Sequence, residues 1–208
     1  MLSSEAFVLL PEIRDPLENI EIVLASASPR RSELLARVGF IFQVEPANID
    51  ESQIRDRDPI HLTRLIARAK AEKIHRAGNL TISADTIVVL DDQVLEKPHH
   101  SQEAVTMLSS LSGRTHSVIT NVAVGFPDGG IDNFFEKTEV TFSKISQTVI
   151  SAYIATQAPF DKAGGYGAQD SFGLSYIKKI SGCYFNALGL PVQSLMGFLS
   201  ANQKRLHH

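Results

Sequence analysis

The sequence predicts an α/β protein: a mixed β-sheet with helices on its faces. Two observations carry this. Strand-like and helix-like apolar segments alternate through the first half of the chain, and strand-like segments then cluster in the second half. The size agrees. A chain of 208 residues, 43% of them hydrophobic, can bury the core such a sheet needs, as one large domain or two closely joined lobes.

Residues 22–25 read as a short buried strand. A helix follows at once. Ser28 suits its N-cap, Pro29 its first position, Leu34, Leu35 and Val38 form an apolar stripe, and Gly39 ends it. Residues 40–44 read as a second strand. Over 59–76, Leu62, Leu65, Ile66 and Ala69 keep helical spacing, and Gly78 closes the segment. Residues 81–90 are apolar and β-branched, hence a buried strand. Asp91 and Asp92 make a turn, with Val94 and Leu95 returning. Ala104, Met107, Leu108 and Leu111 mark the next helix, ended by Gly113. Long strands at 115–126 and 134–142 are joined by a Pro-Asp-Gly-Gly turn. A short helix at 146–157, a glycine-rich loop at 161–170, a strand at 174–180 and a closing helix at 191–199 complete the chain. There are no internal repeats and no low-complexity linker.

Composition narrows the function. A net charge of −3 argues against a general nucleic-acid binder but not against a small anionic ligand, which needs only a local basic patch. The single cysteine, Cys183, permits no intrachain disulfide and no cysteine-based zinc site; it reads as a small buried hydrophobe, and a reducing cytoplasm fits. No apolar run reaches the roughly 18–20 residues that cross a bilayer. Residues 1–20 lack a positive start and carry four acids, so they read as an accessory extension rather than a signal peptide. The expected division is that extension, a domain over 21–200 and a tail over 201–208, whose His207 and His208 receive no metal role.

Four constellations carry chemistry. In Leu24-Ala-Ser-Ala-Ser-Pro-Arg-Arg a strand turns tightly into a helix N-terminus, where free N–H groups and the helix dipole favour an anion. Arg30 and Arg31 oppose that dipole and call for a compensating anion, for which phosphate is suited; Ser26 adds a hydroxyl. The plainer reading is a solvated basic helix end neutralised by Glu33. Asp85 stands inside an apolar run, where a carboxylate is costly unless paired or working, as a general base or metal ligand; a structural pair with a lysine is the alternative. Lys70 flanks a buried helix face and Lys97 precedes Pro98. Each alone is a solvated lysine, but together with the arginines they would neutralise a triphosphate. Asp161-Lys-Ala-Gly-Gly-Tyr-Gly-Ala-Gln169 allows close backbone approach, and Gln169 offers the donor and acceptor that a base edge requires. A plain loop is its alternative. His99-His100 lacks metal-pair spacing, and Asp91-Asp92 is turn chemistry.

The motifs LASASPRRSELL, ADTIVVLDDQVLEKP, LSGRTHSV and DKAGGYGAQ, in that order, resemble the Maf family of nucleotide pyrophosphatases, also called septum formation inhibitors. The resemblance spans about residues 21–197. Asp-Thr-Ile-Val and Asp-Lys-Ala-Gly-x-Tyr-Gly-x-Gln match the branch that prefers dTTP and UTP; the 7-methyl-GTP branch differs at both. The resemblance implies a long mixed sheet of the Maf/ITPase-like kind, with a nucleotide cleft between two lobes, a divalent metal (Mg or Mn) and a possible homodimer. It implies Asp85 as the proton acceptor, and Ser26, Arg30, Lys70 and Lys97 as phosphate-handling residues. It places Glu51 near the metal with Asp85, and Arg31, Thr86 and Gln169 at positions that sort bases. Water attack on the α-phosphorus, with Asp85 as base, would release pyrophosphate. Modified pyrimidine nucleotides stay open as substrates. The family's usual Thr-Gly-Val is Thr120-Asn121-Val122 here, a departure expected to touch none of the residues just named. The rival reading is a non-catalytic nucleotide-binding regulator of septum formation.

Overall fold

The computed structural model describes residues 11–206; the first ten residues of the N-terminal extension, and His207 and His208 of the tail, lie outside the described residues. The sheet has seven strands, in the order β2-β1-β3-β5-β6-β7, with β4 also paired to β3. These are β1 (Ile22–Leu24), β2 (Gln43–Val44), β3 (Leu80–Leu90), β4 (Gln93–Leu95), β5 (Thr115–Gly125), β6 (Ile131–Phe142) and β7 (Ile177–Ser181). β1 is parallel to β2 and β3, and the remaining pairs are antiparallel. The sheet is therefore mixed, as expected.

The helices are α1 (Pro11–Arg14), α2 (Pro29–Arg37), α3 (Pro59–Ile74), α4 (Ser101–Leu111), α5 (Gln147–Ala155), α6 (Ser171–Tyr176), α7 (Tyr184–Ala187) and α8 (Val192–Ala201). Local chemistry explains the boundaries. Asp58 caps α3 by accepting from the N–H groups of Ile60 and His61. Asp91 and Asp92 both take positive φ, as a two-residue hairpin turn between right-twisting strands requires.

Strand alternation sorts the core. Even-numbered residues of β3 face α2 and α8 at one end of the sheet, where Leu80, Ile82 and Ala84 join Val122, Val124, Phe126, Leu195 and Leu199. At the other end the same face holds Val88, Leu90, Val118, Val140 and Phe142 under α4 and α5. Between these two cores runs a polar row: Thr86, Thr120 and Glu136 are register partners across β3, β5 and β6. The opposite face is covered by α3, whose Ala67 and Ala71 are fully buried against Ala123.

Several expectations change. The strand expected over 40–44 shrinks to Gln43–Val44, because β1 is too short to pair with more; Phe40 enters the first core and Ile41 is 91% exposed. The strand expected over 174–180 begins only at Ile177. Its first residues finish α6, whose Phe172 stacks on Tyr153. Helix α7 was not anticipated. Cys183 is half-buried at its N-cap rather than buried.

Candidate active site

β1 ends beside Ile82, and β4 pairs with β3 only from Val88 onward. Between these pairings the edge of β3 opens into a cleft of about 800 Å³. The N-terminus of α2, residues 46–55, α3, the glycine-rich segment and residues 187–189 form its walls. Asp85 and Thr86 both line it. As neighbours on a strand they project to opposite faces of the sheet.

On the α3 face, Lys70 reaches Asp85 Oδ1 at 2.9 Å and Glu51 Oε1 at 2.9 Å. Asp50 accepts from the N–H of Ser52 and shapes the turn that presents Glu51. α3 is anchored close to the strand by Ser83, whose hydroxyl donates to the Ala67 carbonyl at 2.6 Å. Asp85 is 8% exposed, and the lysine supplies the counter-charge its burial demands. A structural ion pair would share this geometry. Here, however, the pair lines an open cleft and includes a second carboxylate.

On the other face Arg31 uses four of its five N–H groups. Nε donates to the Gly189 carbonyl (2.8 Å), Nη1 to Ser26 Oγ (3.1 Å) and the Ala84 carbonyl (2.8 Å), and Nη2 to Thr86 Oγ1 (3.0 Å). Burial lowers its pKa from the usual arginine value; Asp85 opposes the shift and Arg30 adds to it. This corrects the expectation that both arginines await an anion. Arg31 folds across the strand edge and spends four of its N–H groups on the protein. Arg30 pairs with Asp161 at 3.0 Å, and Glu33 bonds Arg37 instead. Ser28 occupies the N-cap of α2 without a side-chain capping bond; its own N–H donates to Ser26 Oγ at 3.3 Å.

Of the other residues singled out in the sequence, Lys97 is exposed and Gln169 half-buried, and both line the cleft. The structure thus gathers Ser26, Arg30, Arg31, Glu51, Lys70, Asp85, Thr86, Lys97 and Gln169 around one cavity. His100 caps α4 by accepting from the Glu103 N–H. Asn121 stands directly opposite Asp85 in the β3–β5 register, which corrects the expectation that this departure touches no site residue.

Several residues were missed. Lys162 lines the cleft, nearly buried, and donates to the Ala158 carbonyl (2.6 Å) and Asp161 (2.5 Å). Burial raises the pKa of Asp161, but hydrogen bonds from Lys162 and Arg30 outweigh it and hold the carboxyl below its ordinary value. Behind the glycine-rich segment, His116 Nε2 and the Tyr166 hydroxyl are 2.6 Å apart. Burial lowers the His116 pKa to about 4 and raises that of Tyr166. A polar residue inside an apolar strand was the available signal for His116; Lys162 gave none beyond its motif.

The chain matches the family described as Maf-like protein over residues 21–202. It is 45% identical over 180 residues to a dTTP/UTP pyrophosphatase of Thermosipho africanus, covering 86% of this chain and 92% of that one. To the protein of the same name from Moorella thermoacetica it is 46% identical over 177 residues, covering 83% and 90%. To that of Pyrococcus furiosus it is 41% identical over 186 residues, covering 88% and 96%.

Proposed function

The chain belongs to the Maf-like protein family, and on that premise we propose that it is a nucleoside triphosphate pyrophosphatase cleaving dTTP and UTP to the monophosphate and pyrophosphate. One observation carries the reading. A single cleft joins a buried carboxylate held by a lysine, Asp85 on Lys70, to a basic helix start at Arg30.

Arg30, Lys70 and Lys97 offset the charge of the phosphate chain and Ser26 adds a hydroxyl, which together orient it before reaction. Asp85 takes a proton from a water that attacks the α-phosphorus. The bond to the β-phosphate breaks and pyrophosphate departs. Lys70 holds Asp85 in place for that step. Arg31, Thr86 and Gln169 read the base.

Glu51 and Asp85 also fit a divalent cation, Mg or Mn. Both are hard oxygen donors, and they already converge on one cation, Lys70 Nζ. Among the described residues no group of three or more His, Cys, Asp or Glu side chains could hold a metal. Two carboxylates completed by substrate phosphates is the mode that fits. Such a cation would neutralise developing charge on the phosphates.

The same reading makes 21–200 the catalytic domain, between an extension at 1–20 and a tail at 201–208. The enzyme is cytoplasmic, able to pair as a homodimer, and independent of nucleic acid and membrane. The net charge of −3 argues against nucleic acid as a partner, and among the described residues no helix is long and apolar enough to cross a membrane.

The test is pyrophosphate release from a panel of nucleoside triphosphates with magnesium or manganese. UTP and dTTP should be cleaved far better than dATP, dGTP or 7-methyl-GTP. Equal specificity constants across the panel, or release of orthophosphate instead, would overturn the proposal.

A further inference from the structure

The polar row between the two cores ends at the cleft in a chain of hydroxyls. Thr86 Oγ1 receives Arg31 Nη2–H at 3.0 Å and lies 3.0 Å from Thr120 Oγ1. Thr120 is wholly buried, and its hydroxyl is 3.3 Å from the Asn186 carbonyl oxygen. Asn186 is itself wholly buried and anchored, its side-chain amide donating to the Val118 carbonyl and to Thr138 Oγ1, each at 3.0 Å. It thereby pins the segment that carries Gly189 into the cleft wall.

A hydroxyl has one proton to give. When Thr120 donates to the Asn186 carbonyl, Thr86 donates to Thr120. The alternative has Thr86 donating to the Gly189 carbonyl, a longer contact at 3.5 Å to an oxygen already bonded by Arg31 at 2.8 Å. With Thr120 donating to the Asn186 carbonyl, the Thr86 proton is spent inside the protein in either arrangement. The first, with the shorter contact, also leaves one lone pair unused on Thr86, a residue that lines the cleft.

We propose that Thr120 and Asn186 are positioning residues that make Thr86 an acceptor only, so that the site reads an N–H on the base edge. Uracil and thymine present such a donor at N3. Cytosine presents a lone pair there and meets Thr86 oxygen against nitrogen. This deepens the pyrimidine reading given above and rests on it. Selectivity on this wall then depends on a residue that touches no ligand.

The experiment is steady-state hydrolysis of UTP and CTP by wild type, Thr120→Val and Thr120→Ser, with thermal melts to verify folding. Wild type should prefer UTP over CTP in kcat/KM by about tenfold or more, the scale of one hydrogen bond made against one opposed. Thr120→Val keeps the shape and removes the hydroxyl. Its Thr86 proton is freed toward the cleft, so the UTP preference should fall by about tenfold, through KM more than kcat. Thr120→Ser should restore it. A folded Thr120→Val with unchanged preference overturns the proposal, as does one that loses both substrates equally. Should Thr120→Val not fold, wild type is compared on UTP and 3-methyl-UTP, whose N3 carries no hydrogen. About a tenfold loss on methylation is expected, and equal cleavage overturns the proposal. A wild type that cleaves no pyrimidine triphosphate removes the functional reading itself, a result separate from either.

Discussion

Asp85 and Thr86 are adjacent in sequence, yet the two halves of the cleft they begin are built on different physics. Asp85 belongs to a half made of charges: Lys70 lies between two carboxylates, 2.9 Å from each. Charges grouped this way can exchange partners, because a phosphate or a cation can replace one of them. Thr86 belongs to a half made of hydrogen bonds from one half-buried guanidinium to uncharged hydroxyls and carbonyls. That half cannot rearrange without leaving a buried carbonyl unpaired, which costs about 1–3 kcal/mol. The contrast suggests a division of labour, in which the mobile charges serve the phosphates and the fixed dipoles serve the base. Alternation along one strand gives both from two residues.

The largest effect should follow from removing charge on the first half. Asp85→Asn keeps the shape and leaves Lys70 paired with Glu51, so the protein should fold. Turnover should fall about 10²-fold or more, the usual scale for a lost general base. A folded Asp85→Asn enzyme with near-normal turnover would break the division at its first term.

Next comes the dryness of the region behind the neutral half, where His116 holds Tyr166 of the glycine-rich segment. An unfolded histidine takes a proton near pH 6.5, whereas folded His116 does so only at about 4. Between those values the unfolded state binds more protons. The contribution of neutral His116 is thus complete above pH 6.5 and drains as pH falls toward 4, by about 3 kcal/mol at most. Melting of wild type and His116→Gln across this range separates it from carboxylate effects common to both. Parallel curves would show that His116 is hydrated.

A smaller effect tests base reading by the neutral side. Gln169→Ala should lower the preference for UTP over purine triphosphates by about tenfold while hydrolysis continues. Loss of turnover with selectivity intact would place Gln169 with the charges instead.

The sequence shows the two halves unequally. The sheet was legible because β3 and β5 are long, mostly apolar and β-branched runs, β6 mixes aromatic and β-branched residues with polar ones, and the hairpin turns carry Asp-Asp and Pro-Asp-Gly-Gly. Asp85 was legible because a charge inside such a run is anomalous. Thr86 was picked out by family resemblance, but its network was not readable. Thr120 is a good strand former and looks like core, and the partners of Arg31 lie up to 158 residues away. Residues 184–187 are too few to show a period, so α7 and the buried Asn186 passed unnoticed. The α2 N-terminus misled for a related reason. Helix position indicates that two arginines are adjacent, but not that one folds back across a strand edge.

The smallest expected effect discriminates most finely, because it concerns the residue placed between the halves. Arg30 opposes the α2 dipole, at a cost of about 0.3–1 kcal/mol, and it gains a partner in Asp161. The Arg30 side chain is 27% exposed and that of Asp161 is 62% exposed, so the pair contributes about 0–1 kcal/mol. These terms nearly cancel. Arg30→Ala should leave the stability of the ligand-free protein within about 0.5 kcal/mol of wild type. The stabilisation gained from a non-hydrolysable nucleotide should shrink clearly, since it follows affinity for the native state. Asp161→Asn gives the converse. It frees Arg30 of a competitor that occupies its Nη1, so nucleotide should stabilise that variant at least as well as wild type. Melts of all three proteins, with and without the analogue, at low and high salt, decide the matter. If Arg30→Ala is clearly destabilised while its nucleotide-induced shift is unchanged, Arg30 is a strut between α2 and the glycine-rich segment. The charged half of the cleft then ends at Lys70.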